Sequence, residues 1–313
     1  MQAGCATNSA DPPARDTLKV TAVERASIAV SATAGVAALA MVLWIGASGA
    51  QQVAPAAAGP IAEVHAPSGW PASAARLAVL APAFPADFGK RRIYLDAGHG
   101  ADGNTGNRSS MCEDEQDFTL ALAEDVAREL EQSGHFEVRL SRQPGQRVAY
   151  QTRVRDAEQW PAHAFVSLHS DVRGRTESWQ PEPGVSCLRS RSAPGFSVLW
   201  SDEGDDASGR GRLALARATA RALEALGLPA YDGGDYRGLY QGDDQQAGVF
   251  VDRHQPGERI FVLRRPTMPS VIVETHNALD DREVKRWREA ETRDGFARAL
   301  AIALIDALGP SVQ

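Results

Sequence analysis

Four residues are of the right types, at the right places, to act together. His99 lies in LDAGHG directly after a β-rich run, and His169 ends the run FVSLH. Each alone is an ordinary loop or strand-end histidine, since most histidines carry no special chemistry. The pair says more, because the C-terminal ends of parallel strands open onto one crevice, where ligands bind. Glu115 opens a helical pattern in CEDEQDFTLALA. Its neighbours Glu113 and Asp114 suit a helix N-terminus, where acids complement the dipole. Glu115 stands three residues before Phe118 and so points along the apolar stripe toward the interior. A carboxylate aimed there needs a cation or a donor. Two histidines and one glutamate are the three-ligand set of a catalytic zinc site with a fourth position open to water.

Glu274 closes VIVE. An acid is common where a strand meets solvent, but beside zinc it gains a task. Zinc lowers the pKa of its bound water to about 7, and a nearby carboxylate can take that proton and later give it to a leaving amine.

The elements that must position these residues are legible as short β-rich runs alternating with helical patterns. The runs are RRIYLD (91–96), FEVRLS (136–141), AFVSLH (164–169), FSVLW (196–200), RIFVLR (259–264) and SVIVE (270–274). Helices are expected over 114–132, where Phe118, Leu122, Val126 and Leu130 recur every fourth residue, over 209–226, and over 281–308 with Trp287, Phe296, Leu300 and Leu304. Gly and Asp crowd 228–248, which reads as a long surface loop. The alternation predicts a single three-layer α/β domain, a mainly parallel sheet of about six strands flanked by helices.

Composition narrows the partners. The chain has 313 residues, 43% of them apolar, and a net charge of -7, which exclude a disordered, collagenous or all-membrane protein. Only Lys19, Lys90 and Lys285 are lysines, the arginines do not cluster, and the acidic balance excludes nucleic acid. Three positive and three negative residues before Ala50 cancel, so the net charge belongs to residues 51–313.

Between Ala26 and Ala50 no charge occurs, and the run over 26–46 is about long enough to cross a bilayer as a helix. Basic residues precede it and none follows until Arg76, which sends the C-terminal part out of the cytoplasm. Ser48-Gly49-Ala50 resembles a cleavage site, so residues 1–50 hold either a signal peptide or an inner-membrane anchor. Residues 51–89, rich in Ala and Pro, read as a tether, and 90–313 as the catalytic domain.

IYLDAGHG with His99, EQDFTLALA with Glu115, FVSLHSD with His169 and VLRRPTMPSVIVE with Glu274 resemble, in order and spacing, the zinc-dependent N-acetylmuramoyl-L-alanine amidases of the bacterial cell wall. The resemblance covers about residues 91–308. It implies an α/β domain around a mixed sheet, one bound Zn2+, and hydrolysis of the amide joining N-acetylmuramic acid to L-alanine of the stem peptide. His99, Glu115 and His169 match the family's zinc ligands and Glu274 its catalytic glutamate. Peptidoglycan is the implied partner and the periplasm or cell envelope the implied place, in agreement with export.

The chain also departs from the family. Ala97 replaces the usual proline before Gly-His-Gly, ADGNTGNRSS replaces a Gly-rich stretch, and THNALD follows Glu274. His276 thereby becomes a candidate oxyanion donor or substrate contact, the other option being a histidine that supports the site from behind the ligands or an exposed one. Arg264 matches a family arginine and can either meet a stem-peptide carboxylate or pair structurally. Some relatives carry a helix that plugs the zinc site until a partner removes it. No equivalent is evident over 228–258, so an activator protein is not expected.

Cys112 and Cys187 both fall near the metal and offer a disulfide fixing the Glu115 loop, two separate thiols, or soft ligands, with the disulfide favoured because an exported domain can hold one. Another zinc hydrolase of the wall, a carboxypeptidase or deacetylase, shares this chemistry. A non-catalytic wall-binding module has no use for Glu274.

Overall fold

A strand covered on both faces reads as an unbroken apolar run. Arg91–Ala97 (β1) is one: Ile93, Tyr94, Leu95 and Ala97 are all buried. The structure, a computed structural model, describes residues 69–309 except 73. The apolar run 26–46 and the first part of the tether lie outside the described residues, among which no helix is long and apolar enough to cross a membrane.

After β1 come α1 (Glu115–Gln132), β2 (Phe136–Leu140), α2 (Tyr150–Gln159) and β3 (Ala164–Asp171). A hairpin of β4 (Glu177–Glu182) and β5 (Val185–Arg189) leads to β6 (Ser197–Trp200), α3 (Asp206–Leu226), β7 (Tyr240–Gly242) and β8 (Val249–Asp252). The chain ends with α4 (Phe261–Arg264), β9 (Ser270–Asn277), α5 (Asp281–Trp287) and α6 (Ala290–Leu308). Seven strands form one mixed sheet in the order β2-β1-β3-β9-β6-β8-β7, with β4 and β5 as a separate pair. β2, β1, β3 and β9 run parallel, β6 is antiparallel to β9, and β7 is antiparallel to β8.

Period-2 alternation divides the side chains between two cores. Ile93, Leu95, Val166, Leu168, Val271 and Val273 face α1, α3 and α6, while Tyr94, Phe165 and Ile272 face α2, α4 and the tyrosines of the 228–248 segment. The result is helix, sheet, helix, a three-layer α/β domain. β1, β3 and β9 are neighbours with their C-terminal ends at one edge, which brings His99, His169 and Glu274 to one place.

The structure corrects several expectations. RIFVLR at 259–264 is not a strand: Phe261–Arg264 is a helical turn, with Val262 and Leu263 sunk in the second core. Buried Arg212 holds the end of this turn by donating to Arg264 O (3.1 Å) and Pro266 O (2.9 Å), and the prolines that follow disfavour sheet extension. The segment 228–248 is anchored rather than free, because Tyr231 and Tyr236 pack on Phe250 and the segment contains β7.

The helix expected over 281–308 breaks at 288–289, so that Trp287 folds onto His276 while α6 packs on α3. The stretch 74–89, tether by composition, lies on the domain. Leu77 and Phe88 are buried in the first core, Phe84 stacks on His135, and Ala78 N donates to Leu226 O.

Candidate metal centre

His99 follows β1 in a left-handed backbone conformation (φ 60°) that a side-chain-bearing residue adopts only when its surroundings impose it. They do: Arg153, fully buried, donates to His99 O, to Ala97 O (3.0 Å) and to Asp96 Oδ1 (2.8 Å). Two glycines give the ligands room. A Cβ on Gly98 would stand 2.5 Å from the His169 ring, and one on Gly106 2.6 Å from the Glu115 carboxylate. Glu115 begins α1, so its carboxylate sits at the positive end of the helix. His99 Nε2 lies 3.0 Å from Glu115 Oε2, His169 Nδ1 lies 3.1 Å from Glu115 Oε1, and the three ligand atoms are all within 4.8 Å of one another.

Groups of fixed polarity decide which histidine nitrogens carry protons. The backbone N–H of Gly106 can only donate, so the Asn104 atom that receives it at 3.1 Å is Oδ1. The same oxygen lies 2.7 Å from His99 Nδ1, which must therefore carry the hydrogen, leaving Nε2 with its lone pair. On the other ligand, Ser167 Oγ donates to Asp96 Oδ2 (2.6 Å) and so accepts from His169 Nε2 (3.1 Å), leaving Nδ1 with its lone pair. Asp96 is buried, which works against ionisation, but Arg153 and Ser167 hold its carboxyl below the ordinary value. Glu115 is pinned as well: Ser170 N donates to Oε1 (2.9 Å), and Asn107 N (3.0 Å) and Nδ2 (2.8 Å) donate to Oε2.

Two imidazole lone pairs thus face a carboxylate at close range. Acceptors so placed require positive charge between them, either extra protons on the rings or a metal ion, and two nitrogens with one carboxylate oxygen suit a divalent cation. The electrostatics agree. Burial works against charge at both groups, yet His99 is raised above its usual value by Glu115, and Glu115 is driven far below its own by His169 and His99.

Glu274 faces this cluster from β9, in register opposite His169. It lines a cavity of about 350 Å³ with His99, His169, Tyr150, Ile260, Phe261, Val262 and Ile272. Its Oε2 is enclosed and has no hydrogen-bond partner among the described residues. Burial, then the charges of Asp171 and Glu115, push its carboxyl well above the ordinary value, opposed by Arg173.

The other candidates lie elsewhere. Arg264 donates to Arg259 O (3.0 Å), Gly257 O (2.8 Å) and Glu203 Oε1 (3.3 Å), so its fork is occupied within the protein. His276 is buried, stacked on Trp287 and edge-on to Phe118, and burial holds its pKa down to about 3. It is neutral and does not line the cavity. Cys112 and Cys187 form a disulfide that ties β5 to the loop before α1, where Trp179 Nε1 also donates to Ser110 O (2.8 Å). The sequence pattern pointed to the ligands but not to their supports Asn104, Asn107, Ser167 and Arg153. The only signal for the asparagines was the Asn- and Gly-rich stretch ADGNTGNRSS.

A family model described as N-acetylmuramoyl-L-alanine amidase matches residues 93–306. The N-acetylmuramoyl-L-alanine amidase AmiA of Escherichia coli (strain K12) is 26% identical over 234 residues, 69% of this chain and 76% of the relative. Among solved structures, the N-acetylmuramyl-L-alanine amidase Ami1 of Mycobacterium smegmatis has a TM-score of 0.54 at 20% identity, covering 71% of this chain and 98% of its own. The apo form of Ami1 from Mycobacterium abscessus gives 0.53 at 20% identity, covering 71% and 100%. At these identities the two structures speak for the fold.

Proposed function

This chain belongs to the N-acetylmuramoyl-L-alanine amidase family, and from that premise we propose how its residues carry the reaction. The enzyme is a peptidoglycan hydrolase that cleaves the amide between N-acetylmuramic acid and L-alanine of the stem peptide. His99 Nε2, His169 Nδ1 and Glu115 would hold one Zn2+. When bound, the ion supplies Lewis acidity that polarises the scissile carbonyl and acidifies the attacking water.

The observation that carries this reading is the fixed polarity of both histidines. Asn104 and Ser167 consume the two ring N–H groups and aim both lone pairs at the Glu115 carboxylate, while Glu274 lines the same cavity as the two histidines. Glu274 takes the proton of the attacking water on its carboxylate and returns it to the alanine nitrogen as the C–N bond breaks. The side chains of Ile260, Phe261 and Val262 give the cavity an apolar wall beside that exchange.

Action on the cell wall requires export. The apolar run at 26–46 would direct the catalytic domain, residues 90–313, to the periplasm as a cleaved signal or an inner-membrane tether. The test is digestion of purified sacculi. Released stem peptides should carry a new N-terminal L-alanine, release should stop with a chelator, and added Zn2+ should restore it. Release of D-alanine or acetate instead would refute the assignment.

A further inference from the structure

The Asn104 amide that orients His99 also fixes the polarity of a group on the cavity wall. With Oδ1 turned to Gly106 N and His99, Asn104 presents Nδ2 to Tyr150 Oη at 3.0 Å. An amide nitrogen only donates, so the phenol oxygen accepts, and the phenol's own hydrogen must point elsewhere. No acceptor for that hydrogen occurs among the described residues. The ring cannot easily turn away, because it lies over the guanidinium of Arg153 at 4.8 Å, and Arg153 is locked to Asp96.

The cavity wall makes this hydrogen distinctive. Ile260, Phe261, Val262 and Ile272 offer apolar side chains, and both histidine N–H groups are already spent. Apart from the carboxyl of Glu274, which the reaction uses for proton transfer, Tyr150 is then the side chain lining the cavity that holds an uncommitted hydrogen-bond donor among the described residues. A phenol keeps its proton at neutral pH, and a donor fixed before the substrate arrives costs little reorganisation when charge develops on an oxygen.

We infer that Tyr150 contacts the substrate, its phenol O–H donating to the carbonyl oxygen of the amide under attack. The inference rests on the amidase reading and adds a residue to it. Tyr150→Phe keeps the ring over Arg153 and removes only the hydroxyl. Assayed on an N-acetylmuramoyl peptide, this variant should lose about tenfold or more in kcat with a smaller change in KM, as expected for a donor whose bond strengthens as the carbonyl gains charge. Zn2+ affinity, read by competition with a chromogenic chelator, should stay at the wild-type value.

An unchanged kcat/KM overturns the inference. So does a loss of Zn2+ affinity that accounts for the loss of activity, since Tyr150 would then only prop Asn104. If wild-type protein releases no peptide with N-terminal L-alanine, the amidase reading fails by itself. The contact is then read by calorimetry on Zn2+-loaded Glu274→Gln protein, with and without Tyr150→Phe. Affinity for the muramoyl peptide about fivefold weaker in the double variant supports the contact, and equal affinity overturns it.

Discussion

Two walls of the site treat their buried glutamates in opposite ways. On the one built by β1, α1 and β3, where His99 and His169 line the cavity and Glu115 does not, both oxygens of Glu115 are held by fixed donors, and two imidazoles drive its pKa down. On the wall built by β9 and α4, Glu274 has an enclosed oxygen without a partner, and burial with two nearby carboxylates drives its pKa up. Side chains of one type thus receive different duties from their surroundings. A ligand must stay ionised and still, so its free lone pairs are consumed. A base must gain and lose a proton during each turnover, so it is left with capacity to spare.

If that division is right, changes on each wall should fail differently. The largest effect belongs to Glu274→Gln, which should lower kcat/KM by roughly 10³-fold, within the 10²- to 10⁴-fold span of general acid–base contributions. Zn2+ content, measured by metal analysis, should be unchanged. Loss of metal in this variant would put Glu274 on the ligand wall and end the comparison. Asn104→Ala is the converse case. Without the Oδ1 that fixes His99 Nδ1–H, Zn2+ affinity should fall about 10- to 100-fold, the usual cost of losing an orienting partner behind a ligand. Part of the activity should return at excess Zn2+. Unchanged affinity would mean that something else holds the His99 tautomer.

The grouping of His99, His169 and Glu115 was legible in the sequence because its parts are local: a histidine after one strand, another ending the next, and a glutamate on a helix with a clear period. The supports were not. Ser167 works only because β1 and β3 pair with Asp96 opposite Ser167, and Asn107 only because its loop returns to Glu115. The catalytic wall was half legible. VIVE at 271–274 is a buried strand by its composition, whereas RIFVLR has the same β-rich character and forms α4, since burial in the second core outweighs local propensity. Arg153 was equally hidden. Nothing near it in sequence shows that it will bind Asp96, 57 residues earlier, and fix the backbone of His99.

The smallest effect expected concerns stability and separates the walls without turnover. A carboxyl whose pKa rises on folding binds its proton more tightly in the folded state. Its contribution is full below the ordinary value near 4.5 and is lost as pH climbs through the folded value. Glu274 belongs to this class. So does Glu283 on α5, which accepts from Trp70 Nε1, Gly195 N and Asn277 N but is still pushed up to about 7 by burial. Glu115 has the opposite sign, its contribution being present above 4.5 and lost as pH falls. In metal-free protein, followed by thermal unfolding in chelator, Glu274 should therefore contribute a loss of stability as pH rises from 5 to 8. Glu274→Gln should lose less, because the carboxamide carries no charge to bury, and the decline that remains includes the contribution of Glu283, lost as pH passes through about 7. Parallel curves for the two proteins would mean that Glu274 titrates normally, and the contrast between the walls would then reduce to hydrogen bonding alone.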